Sequence, residues 1–396
     1  FKKHQFALKT NLSSRWLISS FAMMGLAVLC KGPVGIVLPI IVILSFLTYE
    51  GHLKDFGEKS LKHLLIGALV FLAITLPWYV SVHLATSGEF TKEFFLGHNL
   101  SRFTSVHTGH HAPFWFYLPV IMIGFFPWIF FLIPAIWSSS TIKNFSANSE
   151  PSLDARTIRF CIIWAITIFV FYSLSQTKLP TYILPIFLPL SIIVAKWWQD
   201  KFKTNKSQNN KNQDLLRATQ CLLFIIIIFD ILFFKFFSGL ILNLDSKAFF
   251  LPIALISFLY IAASVIGTAG ALFKARITFI CIITASIISQ IIFVTMMLVP
   301  FAKARDAGSK AFTKRLSSNS VLYTYRIHPT RFSFYKRDKV IKLKDKSINH
   351  TLQQNSQQER YLVASKNDYQ KLSKNSQLNL IEKNQVFAFY RVIPSS

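Results

Sequence analysis

The chain has 396 residues, of which 52% are hydrophobic, 40 are Phe and only 15% are charged. So much apolar surface exceeds what one water-exposed core can bury, which excludes an ordinary soluble domain and makes lipid the expected solvent. The formal charge of +26 does not mark a nucleic-acid protein: 19 Lys and Arg against 6 Asp and Glu lie from Pro300 onward, and most of the remaining cations sit in loops between apolar runs.

Taken in chain order, nine apolar runs are candidates to cross a hydrocarbon layer of about 30 Å, which needs about 20 helical residues. They cover residues 16–30, 33–48, 64–84, 114–137, 158–174, 180–198, 217–236, 250–273 and 277–299. The first residue is Phe, and no signal peptide precedes the first run, so further residues before Phe1 are expected. Alternate loops carry Lys2, Lys3, Lys9 and Arg15, then Lys54, Lys59 and Lys62, then Lys143 and Arg156, then Lys201 to Lys211, then Lys274 and Arg276. The opposite loops hold only Lys31, Lys92, Arg102, Lys178 and Lys247. Cations stay inside, so the first set is expected to be cytoplasmic and the tail extracytoplasmic. Residues 199–216, rich in Asn, Lys and Gln, read as a solvated linker. After Pro300 the pattern changes to short β-rich runs, VLYTYRI, FSFYK, RYLVAS and VFAFYRVI, separated by polar stretches such as SKAFTKRLSS, as in a small α/β domain. Cys30, Cys161, Cys221 and Cys281 all fall in apolar runs without disulfide or zinc spacing and read as packing residues.

Three outer features carry candidate chemistry. In CKGPVG, Lys31 stands at a tight reversal that Gly32, Pro33 and Gly35 permit; it is either a snorkelling lysine or a cation for a bound anion. The loop 85–113 has helical amphipathic spacing through Phe90, Phe94, Phe95 and Leu100, followed by Arg102, whose fork suits a phosphate near the bilayer surface. His107, His110 and His111 lack an acidic partner and read as solvated rather than metal-binding. In SLSQTKLPTYILPIFLPL, Lys178 occupies a short outer turn, Pro180, Pro185 and Pro189 interrupt the next run, and Tyr182 can donate to a phosphate or sugar oxygen or serve as an interfacial anchor. Trp78, Tyr79, Trp115, Tyr117 and Trp128 read as belt aromatics. Asp230, deep in IIIIFDILFFK, reads as a hydrogen-bonding group between helices.

Read in order, CKGPVGIVLP, LPWYVSV, GHNLSRF followed by HHAPFWFYLPVIMIGFFPW, and SLSQTKLPTYILPIFLPL resemble the integral-membrane glycosyltransferases that use polyprenyl-phosphate sugars. The specific likeness is to the bacterial family that transfers 4-amino-4-deoxy-L-arabinose to lipid A. The resemblance implies an α-helical polytopic membrane protein, with about nine spans in residues 1–299 and a small extracytoplasmic α/β domain in 300–396. It implies inner-membrane localisation, an undecaprenyl-phosphate sugar donor, inverting transfer to lipid A or a related glycolipid, and no nucleic-acid partner. A divalent metal is compatible with it but not required, and no metal ligands are assigned. Carried over residue by residue, Arg102 and Tyr182 match positions that hold the carrier phosphate, and Lys31 and His98 match cavity positions; Lys178, read from its outer turn, and Lys31 are the further candidate cations for that phosphate. The family's earlier spans and its acidic first outer loop have no counterpart in this sequence, so the catalytic residue is unassigned and the piece is expected to be inactive alone. A protein O-glycosyltransferase and a transporter or flippase of anionic lipid are the competing readings.

Overall fold

A computed structural model describes residues 12–53, 58–94, 112–138, 153–203, 213–240, 247–273, 275–317, 319–338, 340–343, 358–365, 368–373, 375–383 and 387–393. The chain divides into two compact units, residues 1–233 with 260–286, and residues 234–259 with 287–396.

The first unit is helical. Helices α1 (Leu12–Lys31), α2 (Val34–Glu50) and α3 (Glu58–Ala85) lead into the short α4 (Glu89–Lys92). Beyond it come a 3-10 turn (Phe114–Phe116), α5 (Tyr117–Gly124), α6 (Ile129–Ser138) and α7 (Leu153–Leu174). A 3-10 segment (Pro180–Ile186) then feeds α8 (Phe187–Lys203), and α9 (Gln213–Leu240), α10 (Lys247–Phe273) and α11 (Ala275–Ile292) follow, their residues 234–259 and 287–292 belonging to the second unit. Helices thus occupy every apolar run read from the sequence. Among the described residues five are long and apolar enough to cross a membrane, six if Phe114–Gly124 and Ile129–Trp137, bent by 106°, count as one broken span.

Close helix contact depends on glycine. At Gly32 the backbone takes φ 79, the left-handed turn glycine adopts without strain, and its amide bonds back to the Val28 carbonyl at 2.8 Å. Gly35 was expected to serve the turn, yet it lies inside α2, where a Cβ would stand 2.6 Å from the Ala27 carbonyl carbon. Its role is backbone approach: α2 packs directly on α1, the small-residue packing that membrane helices use where no hydrophobic drive separates helix from lipid. The opposite surface of α3 is a leucine stripe, Leu61, Leu65, Leu69, Leu72 and Leu76, exposed by 41 to 66% and spaced as one helical face.

At the Lys/Arg-rich ends, Glu50 accepts a hydrogen bond from Arg159 at 3.1 Å and lies 4.0 Å from Arg156, tying α2 to α7. Lys196 bridges Asp154 at 2.8 Å and Asp200 at 2.9 Å, tying α7 to α8. Beside them Trp197 and Trp198 pack on Phe131, and Trp198 meets Phe279 at 5.2 Å. Trp128 joins this cluster 5.9 Å from Phe279, and Tyr117 is fully buried, so neither is the belt residue its sequence position suggested. Cys161 is buried and fits the packing reading; the side chain of Asp230 lies outside the described ones.

In the second unit a π-helical stretch (Phe293–Leu298) continues α11 into α12 (Val299–Arg315), so Pro300 sits within a continuous helical path. A five-stranded mixed sheet follows, β1 (Val321–Tyr325), β2 (Ile341–Leu343), β3 (Arg360–Ser365), β4 (Leu378–Lys383) and β5 (Phe387–Val392), in the order β2-β1-β3-β5-β4. β1 runs parallel to β2 and β3, and β5 runs antiparallel to β3 and β4. One face buries Phe312, Phe332, Phe387 and Phe389; the other buries Tyr325, Leu362, Leu372 and Tyr390. Helix α13 (Thr330–Lys336) corrects the strand expected from FSFYK, while α14 (Tyr369–Leu372) covers the other face. In a strand Phe332 and Phe334 would share a face; here Phe332 is buried against Phe387 at 5.4 Å and Phe334 is 76% exposed, which the helical turn permits.

Candidate functional site

The turn after α1 and the turn before α8 meet. Lys31, the last residue of α1, places its ammonium 5.6 Å from the ring centroid of Tyr182, in the 3-10 segment that holds Pro180 and Pro185. Behind Tyr182 the rings step inward: Tyr172 lies 5.6 Å away, and the buried Tyr117 lies 6.3 Å beyond that. This ladder runs from an exposed cation to the packed core of the first unit. Tyr172 and Tyr117 were not singled out as site residues, since a Tyr in an apolar run carries no local signal that distinguishes it from an interfacial anchor.

The loop joining α7 to this segment is turned inside out. Across residues 173–178, Ser173, Ser175, Thr177 and Lys178 are buried whereas Leu174 and Gln176 are exposed. Hydroxyls inward and Leu outward is the alternation expected of a chain lining a polar interior beneath lipid. Lys178, only 7% exposed, donates to the Ser175 carbonyl at 2.6 Å, and burial pushes its ammonium below the usual lysine range. It is therefore held by its own loop rather than extended into solvent.

A third segment approaches the same end of α1. The Tyr79 hydroxyl donates to the Val28 carbonyl at 3.2 Å, and the Tyr79 ring lies 6.0 Å from Phe94. Phe90 stacks on Phe94 at 5.2 Å and meets Trp78 at 5.5 Å, so the described start of the amphipathic stretch, through Phe94, folds back on α3. Arg102, His98, His107, His110 and His111 lie outside the described residues. Among the described residues no group of three or more His, Cys, Asp or Glu could hold a metal ion.

These features define an integral membrane protein with a helical unit, an aromatic and cationic helix end, and a small mixed sheet. Two solved structures share the fold: ArnT from Cupriavidus metallidurans in the apo state, with TM-score 0.67 and 19% identity over 98% of this chain and 70% of that one, and the same protein bound to undecaprenyl phosphate, with TM-score 0.65 and 20% identity over 98% and 71%. No family model matches the sequence.

Curated relatives make the resemblance more specific. An undecaprenyl phosphate-alpha-4-amino-4-deoxy-L-arabinose arabinosyl transferase of Shewanella sediminis is 34% identical over 170 residues, 43% of this chain and 28% of that protein. The transferase of the same description from Photorhabdus laumondii is 29% identical over 230 residues, 57% of this chain and 38% of that protein. The chain thus matches about a third of these relatives' length. Over the matched part, the chain is similar to the aminoarabinose transferases.

Proposed function

We propose that the chain acts in a membrane glycosyltransferase that moves a sugar from an undecaprenyl-phosphate carrier to lipid A or a related acceptor at the extracytoplasmic face. The observation that carries this reading is the Lys31–Tyr182 pair, joined from two turns far apart in sequence into one cation-and-phenol cluster. Curated relatives are named for transfer from that carrier, and one solved neighbour is described as bound to undecaprenyl phosphate. In this reading nine helices span the bacterial inner membrane, residues 1–299 form the transferase unit, and residues 300–396 form an extracytoplasmic α/β domain.

Glycosyl transfer leaves negative charge on the departing carrier phosphate. Fixed cations that meet this charge as it develops, in a water-poor site, lower the barrier more than they stabilise the bound ground state. Lys31 and Arg102 fill this role, Tyr182 donates its hydroxyl, and Lys178 stiffens the loop and adds positive potential. His98, on the same stretch as Arg102, is assigned to the cavity wall. An acceptor phosphate is already anionic and needs little help from a base, whereas a protein or glycan hydroxyl would need one. Transfer with inversion follows if the acceptor attacks the anomeric carbon opposite the phosphate.

The test pairs binding with product. Purified protein in nanodiscs should bind undecaprenyl phosphate, and Lys31→Gln, Arg102→Ala and Tyr182→Phe should each weaken binding by about tenfold, the scale of one charge-assisted hydrogen bond. Mass spectrometry of lipid A from cells with and without the protein should show the sugar increment only when it is present. Unchanged lipid A together with transbilayer movement of a labelled anionic lipid would instead establish a flippase.

A further inference from the structure

One end of the sheet in the second unit gathers charge that the transfer reaction does not use. Strand register sets Leu343, Tyr325, Ala364, Ala388 and Lys383 in a row at the carboxyl ends of β2, β1, β3 and β4 and the start of β5. β1 and β3 are parallel neighbours, and the chain leaves β1 toward β2 on one side but β3 toward β4 and β5 on the other. In α/β sheets such a reversal opens a crevice at the strand ends, where ligands are held.

Arg326, the first residue after β1, adopts φ 54, a conformation that a long side chain rarely takes and that turns it across this edge. Its guanidinium lies 5.4 Å from the Tyr325 ring and 3.4 Å from an Asp368 carboxylate oxygen. Lys371 sits 3.3 Å from the Tyr325 hydroxyl, and Lys383 lies 3.7 Å over the ring of Tyr369. Among the described residues neither lysine forms an ion pair. Beneath them Tyr390 is fully buried, and its hydroxyl has no hydrogen-bond partner among the described residues. Burial, with Tyr369 and Asp368 nearby, pushes that hydroxyl's pKa up to about 12, so it remains a donor in the field of this cluster.

We propose that this sheet edge binds a phosphomonoester, the headgroup of a sugar phosphate, with Arg326 and Lys371 on the phosphate oxygens above the buried Tyr390 hydroxyl. An arginine fork beside an ammonium matches the three non-bridging oxygens of a phosphomonoester better than a single carboxylate. The site shares no residue with the Lys31–Tyr182 cluster, and the two readings can fail independently.

Calorimetric titration of the whole chain in detergent, with glucosamine 1-phosphate and separately with micellar lipid A, tests it. Lys371→Gln and Arg326→Gln should each weaken glucosamine 1-phosphate by about tenfold. Lys371→Arg should restore it to within about threefold. Saturable binding of the soluble sugar phosphate alone, sensitive to Lys371, supports a free ligand; binding of lipid A with the same sensitivity supports a lipid headgroup. Saturation by neither probe overturns the proposal, as does undiminished binding in a Lys371→Gln chain whose near-ultraviolet circular dichroism is native.

Discussion

The two units solve opposite solvation problems with the same twenty side chains. In the helical unit large apolar residues face outward, as in the leucine stripe of α3, while hydroxyls, Lys178 and the Glu50–Arg159 pair turn inward. In the α/β unit the aromatic residues are inside, with Phe312 stacked 4.2 Å from Phe389, and ion pairs such as Arg391–Glu359 lie on the surface. Burial by itself therefore does not identify the energetically important residue; what matters is which solvent the alternative state would meet.

The largest effect should come from testing that contrast directly. Phe312→Ala removes a side chain that is 3% exposed from the packed sheet face and is expected to cost about 3 to 5 kcal/mol. Leu69→Ala, at 66% exposed on the lipid side of α3, should cost under about 1 kcal/mol in bilayers, because lipid replaces its contacts. Denaturant titration followed separately in each unit checks both; equal losses would erase the distinction. Next, Glu50→Gln leaves the Arg159 guanidinium without its charged partner at the end of α2 and is expected to cost about 3 kcal/mol. Loss of α2–α7 association, read by crosslinking between engineered cysteines, checks this, and Arg159→Gln combined with Glu50→Gln should recover part of it.

The smallest effect concerns Lys178 and has a defined sign. Its folded pKa lies below the ordinary lysine value of 10.5, so over the window just under 10.5 the unfolded chain holds more protons than the folded one. Stability should therefore rise with pH through that window, as the penalty for a buried ammonium disappears, while carrier-phosphate binding falls because a cation is lost. Lys178→Gln should flatten both trends. Two trends of the same sign would place Lys178 outside the anion site.

How much of this was legible follows from the range over which each signal acts. Apolar runs carry their own periodicity and length, so most helices were readable to within about a turn of their ends, and the prolines after Lys178 announced an interruption there, though not its 3-10 form nor the bend that splits the run 114–137. VLYTYRI, RYLVAS and VFAFYRVI were readable as strands, but LNLIEK and IKL, short and charged, gained strand structure only from their neighbours in the sheet. FSFYK alternates like a strand and is a helix, because only one of its two Phe rings finds a core to enter.

What the sequence determined alone was the solvent, the order of the apolar helices and three of the five strands, since these depend on local composition and spacing. Only the tertiary structure decided that Lys31 meets Tyr182, that Tyr117 is core rather than belt, and that Gly35 serves helix contact rather than the turn. Each of these depends on a partner far away in the chain, and contact energy follows distance in space, which no stretch of neighbouring residues encodes.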